Sequence, residues 1–264
     1  MSADEDCSED CHDRQFVVAL SRGLDVLRCF RANDSMLGNQ EIAARTGLPK
    51  PTISRLTYTL TKLGYLIYID RYSKYQLGTA VLSLGYAALA GMDIREVARP
   101  LMQELADYSD VAVSLGSHDH TSMIYIESCR GNGALTIRLT VGSRIPVATT
   151  AMGRAYLAAL PEAKRAAILE AVRAQHPAEW PRIKPGVERA CLDYAKRGFT
   201  MSVGEWQSDV HAVGVAVTQP ATGQVMGLNC GGASFLLSRE RLEDDLGPRL
   251  VQVARKIEAA LGRR

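Results

Sequence analysis

The 264-residue sequence predicts an α+β chain in two parts: a small helical domain closed by a β-hairpin, then a larger domain on a mostly antiparallel sheet. Three observations carry this expectation. The length exceeds that of a usual single core, so two domains are expected. Between residues 16 and 77 a helical apolar period gives way, after Gly64, to β-favouring residues. From residue 111 onward β-rich stretches and helical stretches alternate, as in hairpins with helices inserted between them.

In the first part, Val17, Leu20, Leu24 and Leu27, with Val26 and Phe30, recur at helical spacing, and Ser21 and Arg22 fall on the polar side. After a polar break, QEIAARTGL reads as a short helix with Asn39 as its side-chain cap and Gly47 as its stop. In PKPTISRLTYTLTKLGYL, Pro51 opens a helix, Gly64 ends it, and Ile53, Leu56, Leu60 and Leu63 are expected to face inward. Two strands, Leu66–Ile69 and Tyr75–Leu77, flank a polar turn at residues 70–74. That order is a winged helix-turn-helix, assigned to residues 15–78.

Residues 79–92 are almost all small or apolar, which predicts a linker helix covered by a partner chain or the next domain and serving as a dimer contact. The rest, 93–264, begins with IREVARPLMQELADYS, in which Pro100 either kinks one helix or starts a new one. Strands are expected at 111–117, 122–129, 134–141, 210–218 and 225–232, with hairpin turns at 118–121 and 221–224. Helices are expected at 152–160, 162–174, 185–197 and 238–261.

Charge is unevenly spread beneath a net +2. Residues 1–13 hold six acids and no Lys or Arg, so 1–14 reads as a disordered acidic tail. Residues 14–80 hold ten Lys/Arg against four acids, the balance of a module that binds a polyanion. No apolar run is long enough to span a bilayer, and the N-terminus lacks the apolar core of a secretory signal, so a cytoplasmic location is expected. Six cysteines without a disulfide-framework spacing suit reduced thiols, and no cofactor is expected.

Several strings together resemble the IclR family of bacterial regulators. They are ALSRGLDVLRCF, QEIAARTGLPKPTISRLTYTLTKLGYL and YSKYQLGTAVLSLG in the first part, and REVARPLMQELADYS, RIPVATTAMGRAYLAAL, KRGFTMS and ARKIEAAL in the second. The resemblance covers about residues 16–262. It implies a DNA-binding transcription regulator, a repressor before an activator, whose C-terminal domain is a GAF-like or profilin-like effector domain that closes over a small organic ligand. The expected partners are double-stranded operator DNA, a small organic acid and further copies of the chain, as a homodimer or a dimer of dimers.

With the apolar side of the second motif helix inward, its other side presents Lys50, Thr52, Ser54, Arg55, Tyr58, Thr59 and Lys62. Helix-turn-helix proteins touch base edges with the start of this helix. Arg55 is the first candidate for a base contact, since a guanidinium reaches guanine O6 and N7 with two donors. Lys50, Thr52 and Ser54 serve bases or phosphates, and Arg71 and Lys74 at the wing, with Arg22, serve the backbone or minor groove.

For the effector site, the resemblance implicates Ala151, Met152 and Gly153 in TTAMGRA as a ligand-cradling turn, where free N–H groups at a helix start favour an anion. It also implicates Ser202, Ala212, Asn229 and Gly231. Several family members carry acidic or hydroxyl groups where this chain has Ser202 and Gly231, and many carry Cys where it has Ala212. With Met152, Met201 and Met226 nearby, fewer polar groups point to an aromatic or other hydrophobic carboxylate, although Met201 and Met226 equally suit core gaps.

Competing chemistry is thinner. Cys230 with His211 is the combination a Cys-dependent hydrolase would need, without a flanking catalytic signature; packing on a strand is the simpler role. Cys7, Cys11 and His12, and separately His118, Asp119 and His120, fall short of a defined zinc ligand set.

Overall fold

The computed structural model describes residues 15–31, 34–131 and 139–263. The acidic tail, with Cys7, Cys11 and His12, and most of the strand expected at 134–141 lie outside them. The chain divides into two compact units, one ending at Gly91 and the other beginning at Met92.

In the first unit, α1 (Val18–Arg28), α2 (Asn39–Thr46) and α3 (Lys50–Lys62) enclose Val26, Leu37, Ile42, Ile53, Leu60 and Leu66. Two expectations need correction here. Leu27, Leu56 and Phe30 pack on this core, but Val17, Leu20, Leu24 and Leu63 are exposed. Leu63 is the C-cap just past the end of α3, and the left-handed turn at Gly64 (φ 78°) brings Leu66 inward in its place. Asn39 is not the cap of α2: Gly38 is, and Glu41 closes the turn by accepting the Gly38 N–H at 2.7 Å. Freed from capping, the Asn39 amide reaches α3, where it meets Ser54 Oγ and Thr57 Oγ at 3.4 Å each.

The wing is β1 (Leu66–Ile69) paired antiparallel with β2 (Lys74–Leu77), joined by one 3₁₀ turn and a left-handed Ser73. A bridge from Leu37 to Tyr75 ties this hairpin to the segment before α2. The helix α4 (Thr79–Ala90) buries no residue within the single chain and exposes Leu82, Leu84 and Tyr86.

The second unit opens with α5 (Asp93–Ser109), which runs through Pro100 as one helix. A six-stranded antiparallel sheet follows, in the order β5-β4-β3-β8-β7-β6. Its strands are β3 (Ala112–Asp119), β4 (Ser122–Arg130), β5 (Arg144–Pro146), β6 (Thr200–Val203), β7 (Val210–Thr218) and β8 (Val225–Ala233). The short β5 and β6 were not anticipated, since three or four residues carry little periodic signal. Between β5 and β6 lie α6 (Ala151–Ala159), α7 (Glu162–Gln175) and α8 (Trp180–Arg197). The last of these starts five residues before the expected Pro185, because Pro181 occupies its first turn and Pro185 is carried inside. A π-helical turn (Arg241–Leu246) leads into α9 (Gly247–Leu261).

The helices cover both faces of the sheet. On one, α5 and α9 pack together, and Cys230 of β8 reaches Ser109 of α5. On the other lies α6, seated almost on the strands. Side chains at Gly116 and Gly227 would each stand 2.5 Å from the Met152 side chain, and one at Gly214 would stand 2.7 Å from Met152 N. At Gly214, where the close atoms are the Ala151 and Met152 backbone, that approach requires glycine; at Gly116 and Gly227 a side chain would displace Met152.

Candidate functional site

The first candidate surface is the outer side of α3. Ile53, Thr57 and Leu60 are buried, which leaves Lys50, Ser54, Arg55, Tyr58, Thr59 and Lys62 exposed and Thr52 half-buried. Thr57 donates to the Ile53 carbonyl at 2.9 Å and also meets Asn39, so the buried side of α3 is bonded to α2. Arg45 then fastens α2 to the end of α1: it donates to the Cys29 carbonyl at 2.9 Å and grips Asp34 with two nitrogens. Arg45, with the Arg31 N–H, pulls the Asp34 carboxyl down to about 2. The result is a rigidly presented helix whose Arg55 has no side-chain partner among the described residues.

Around it, Lys62 lies 5.5 Å from the centre of the Tyr58 ring, and Arg71 lies equally far over Tyr72 at the wing turn. Arg22 is exposed on α1. Lys74 differs, because its ammonium is 2.9 Å from Glu41 and braces the wing against α2. The Gly38 N–H and then Lys74 lower the Glu41 carboxyl.

The second candidate is a pocket of about 500 Å³ between atoms, part of it open to solvent, above the α6 face of the sheet. Five residues anticipated for ligand binding line it: Ala151, Ser202, Ala212, Asn229 and Gly231. Met152 and Gly153 do not. Met152 is wholly buried over the sheet glycines, and Gly153 is pressed on the Val147 backbone while its N–H caps onto Thr150 Oγ at 3.2 Å. The same close seating of α6 that places Ala151 at the pocket thus takes the next two residues away from it.

Other lining residues were not anticipated: Ser114, Tyr125, Thr150 and Trp206, with apolar Leu139, Ile145 and Val210. A bulge explains Tyr125. The register shifts between Leu115 and Gly116, so Tyr125 opposes Gly116 and Ser128 opposes Ser114, on the pocket face, while Glu127 opposes Leu115 on the other. There Glu127, buried, meets Arg95 at 3.0 Å and Arg99 at 3.1 Å on α5.

Trp206 owes its place to Arg154. That guanidinium, buried in α6, donates to Ala148 O at 2.9 Å and to Glu205 at 2.6 Å, fixing the loop that carries Trp206. A single Arg in the otherwise apolar AMGRAYLAAL was the available signal. Trp206 also lines a neighbouring cleft with His176, Glu179 and Arg182. Burial raises the Glu205 carboxyl, but the bond and charge of Arg154, with Arg189 and Arg182 beyond, outweigh it and hold the group below 4.5.

The remaining combinations are engaged elsewhere. Cys230 is buried, bonded to Ser109 Oγ, and its thiol is pushed up by burial to about 12, while His211 Nδ1 bonds the Leu237 carbonyl at 2.7 Å. His118 stacks on Tyr156, and Asp119 pairs with His120 and Arg144. Among the described residues no helix is long and apolar enough to cross a membrane, and no group of three His, Cys, Asp or Glu could hold a metal.

Residues 19–68 match the IclR helix-turn-helix domain, and residues 86–259 match the C-terminal region of the bacterial transcriptional regulator IclR. The chain belongs to the IclR family. It is a transcriptional regulator with a DNA-binding helix-turn-helix and a C-terminal effector domain, and the relatives described next are regulators too. It is 32% identical over 247 residues to the HTH-type transcriptional regulator TsaQ1/TsaQ2 of Comamonas testosteroni, covering 93% of this chain and 88% of that one. An IclR family regulator from Brucella abortus has a crystal structure 50% identical in sequence, with a TM-score of 0.88 over 94% of both chains. The fold is shared as well by an IclR homologue from Microbacterium hydrocarbonoxydans solved with 4-hydroxybenzoate, at 20% identity and a TM-score of 0.68, over 93% of this chain and all of that one.

The Arg154–Glu205 pair makes a pH-dependent prediction. Because the folded carboxyl titrates below its ordinary 4.5, its contribution is full above that pH and is lost as pH falls through the lowered value. Urea unfolding of Glu205→Gln should show a less stable protein than wild type at neutral pH, with the gap closing in acid. A gap that is constant with pH would contradict this.

Proposed function

We propose that this regulator binds double-stranded operator DNA through paired copies of α3 and that a small organic acid, held in the pocket at the start of α6, controls that binding. Repression of the target genes is the favoured outcome. The single observation that carries the ligand class is the composition of the pocket wall. Thr150 and Ala151 bring the first turn of a helix to it, where the helix dipole and the Ala151 N–H attract an anion even though Thr150 caps the Gly153 N–H, while Tyr125, Trp206, Leu139, Ile145, Val210 and Ala212 supply an aromatic and aliphatic remainder. No Lys, Arg, Asp or Glu lines it among the described residues. An aromatic or other hydrophobic carboxylate matches both ends of such a pocket. The 4-hydroxybenzoate held by the Microbacterium homologue is of that class.

For DNA, Arg55 takes the base-reading role, with Lys50, Thr52 and Ser54 at the start of the helix and Tyr58 and Lys62 further along. Arg71 and Arg22 take phosphate or minor-groove positions, and Lys74 contributes what charge its pairing with Glu41 leaves. Paired heads need a dimer. The apolar α4, which buries nothing within one chain, supports its use as a contact between copies.

Two experiments test this. With a duplex selected by the protein from a random pool, Arg55→Ala should weaken binding by about 1–3 kcal/mol and relax preference at one base pair; an unchanged sequence preference would remove Arg55 from base reading. In a thermal-shift screen of aromatic and aliphatic acids, a ligand at about 100 times its Kd should stabilise the protein by about 2.7 kcal/mol and alter its affinity for the selected duplex. Stabilisation without any change in DNA affinity would contradict the regulatory role of the pocket.

A further inference from the structure

We propose that Asn229 makes the pocket selective for acids that also carry a hydrogen-bond donor, a hydroxyl above all, over the same acids without it. This rests on the organic-acid reading of the pocket and adds a second recognition element to it.

Asn229 sits in the middle of β8, only 8% exposed, and lines the pocket. Its Nδ2 donates to the Tyr125 hydroxyl at 3.4 Å, while its Oδ1 is buried with no hydrogen-bond partner among the described residues. The other hydroxyls of the wall are occupied within the protein. Ser202 donates to Thr149 O at 2.9 Å, Thr150 donates to Pro146 O at 2.7 Å, and Ser114 shares a hydrogen bond with Ser128 at 3.0 Å. Tyr125 interacts with both Asn229 and Ser114, so its hydroxyl holds the amide from behind. An acceptor fixed in this way asks its occupant for an O–H or N–H.

Its position fits one small molecule. Asn229 pairs across the sheet with Gly214, the residue on which the start of α6 is seated, with Met152 N 2.7 Å from where a side chain would begin. Asn229 therefore lies one strand spacing, about 4.8 Å, from Gly214, the residue directly beneath the start of α6. A carboxylate at Ala151 and a hydroxyl at Asn229 are within reach of a single compact skeleton. A ligand lacking the donor leaves the Asn229 carbonyl oxygen buried and unbonded, a loss of roughly tenfold or more in affinity.

Matched acids on the full-length protein test this, with Kd read from Trp206 fluorescence in a Trp180→Phe background. One set is mandelate, phenylglyoxylate and phenylacetate, which place a hydroxyl, a keto oxygen or neither on one skeleton. The other is benzoate with its three monohydroxy isomers. At least one hydroxylated acid should bind roughly tenfold more tightly than its unsubstituted parent, phenylglyoxylate should gain nothing over phenylacetate, and Asn229→Leu should bring the ratio close to one. Tyr125→Phe, which frees the amide, should shrink the ratio too. Equal binding by parent and hydroxylated acids in the otherwise unaltered protein overturns the inference even if Asn229→Leu does not fold, as does a ratio that survives in Asn229→Leu or a preference for the keto acid. If no acid of either set binds, the organic-acid reading falls together with this one.

Discussion

The C-terminal unit is organised by how closely α6 approaches its sheet. Gly116, Gly214 and Gly227 omit side chains on three different strands where Ala151 and Met152 come down, and Gly153 does the same against Val147. Interiors are packed too densely for such an approach to be shifted without cost. From it follow the burial of Met152, the placement of Thr150 and Ala151 at the pocket, and the direction in which Arg154 enters the protein to bind Ala148 and Glu205. The pocket is the space left beside that contact, floored by the sheet and walled by the loop that Arg154 holds.

A comparable logic governs the N-terminal unit with polar groups in place of glycines. Asn39, Thr57 and Arg45 tie three short helices to one another, so that α3 can spend its outer face on Arg55, Tyr58 and Lys62 without losing its seat. In the larger unit the bulge in β3–β4 sends Tyr125 to the pocket and Glu127 to α5 from neighbouring positions of one strand. Tyr125 of the pocket wall and the carboxylate that holds the two arginines of α5 are therefore carried on a single short stretch of β4.

What the sequence disclosed, it disclosed through period and punctuation. The helix-turn-helix was legible because Ile53 and Leu60 recur at helical spacing between Pro51 and a glycine, and the exposed side of α3 followed from that face alone. Leu63 and Asn39 misled for a shared reason: at helix ends the terminal turn decides which side chain points inward or caps, and periodicity does not describe it. Ser202, Ala212, Asn229 and Gly231 were found through resemblance, each on a strand whose alternation holds. Tyr125 was hidden by the bulge, Trp206 by its dependence on a distant arginine, and the eclipse of Met152 and Gly153 by packing that only three dimensions display.

Amide hydrogen exchange, measured with and without a stabilising acid, tests the central claim most directly, because it reports where the ligand sits. The account predicts slower exchange in peptides spanning residues 147–156, at the start of α6, and 225–233, the strand that carries Asn229. Protection confined to other segments, with these two unchanged, would contradict it.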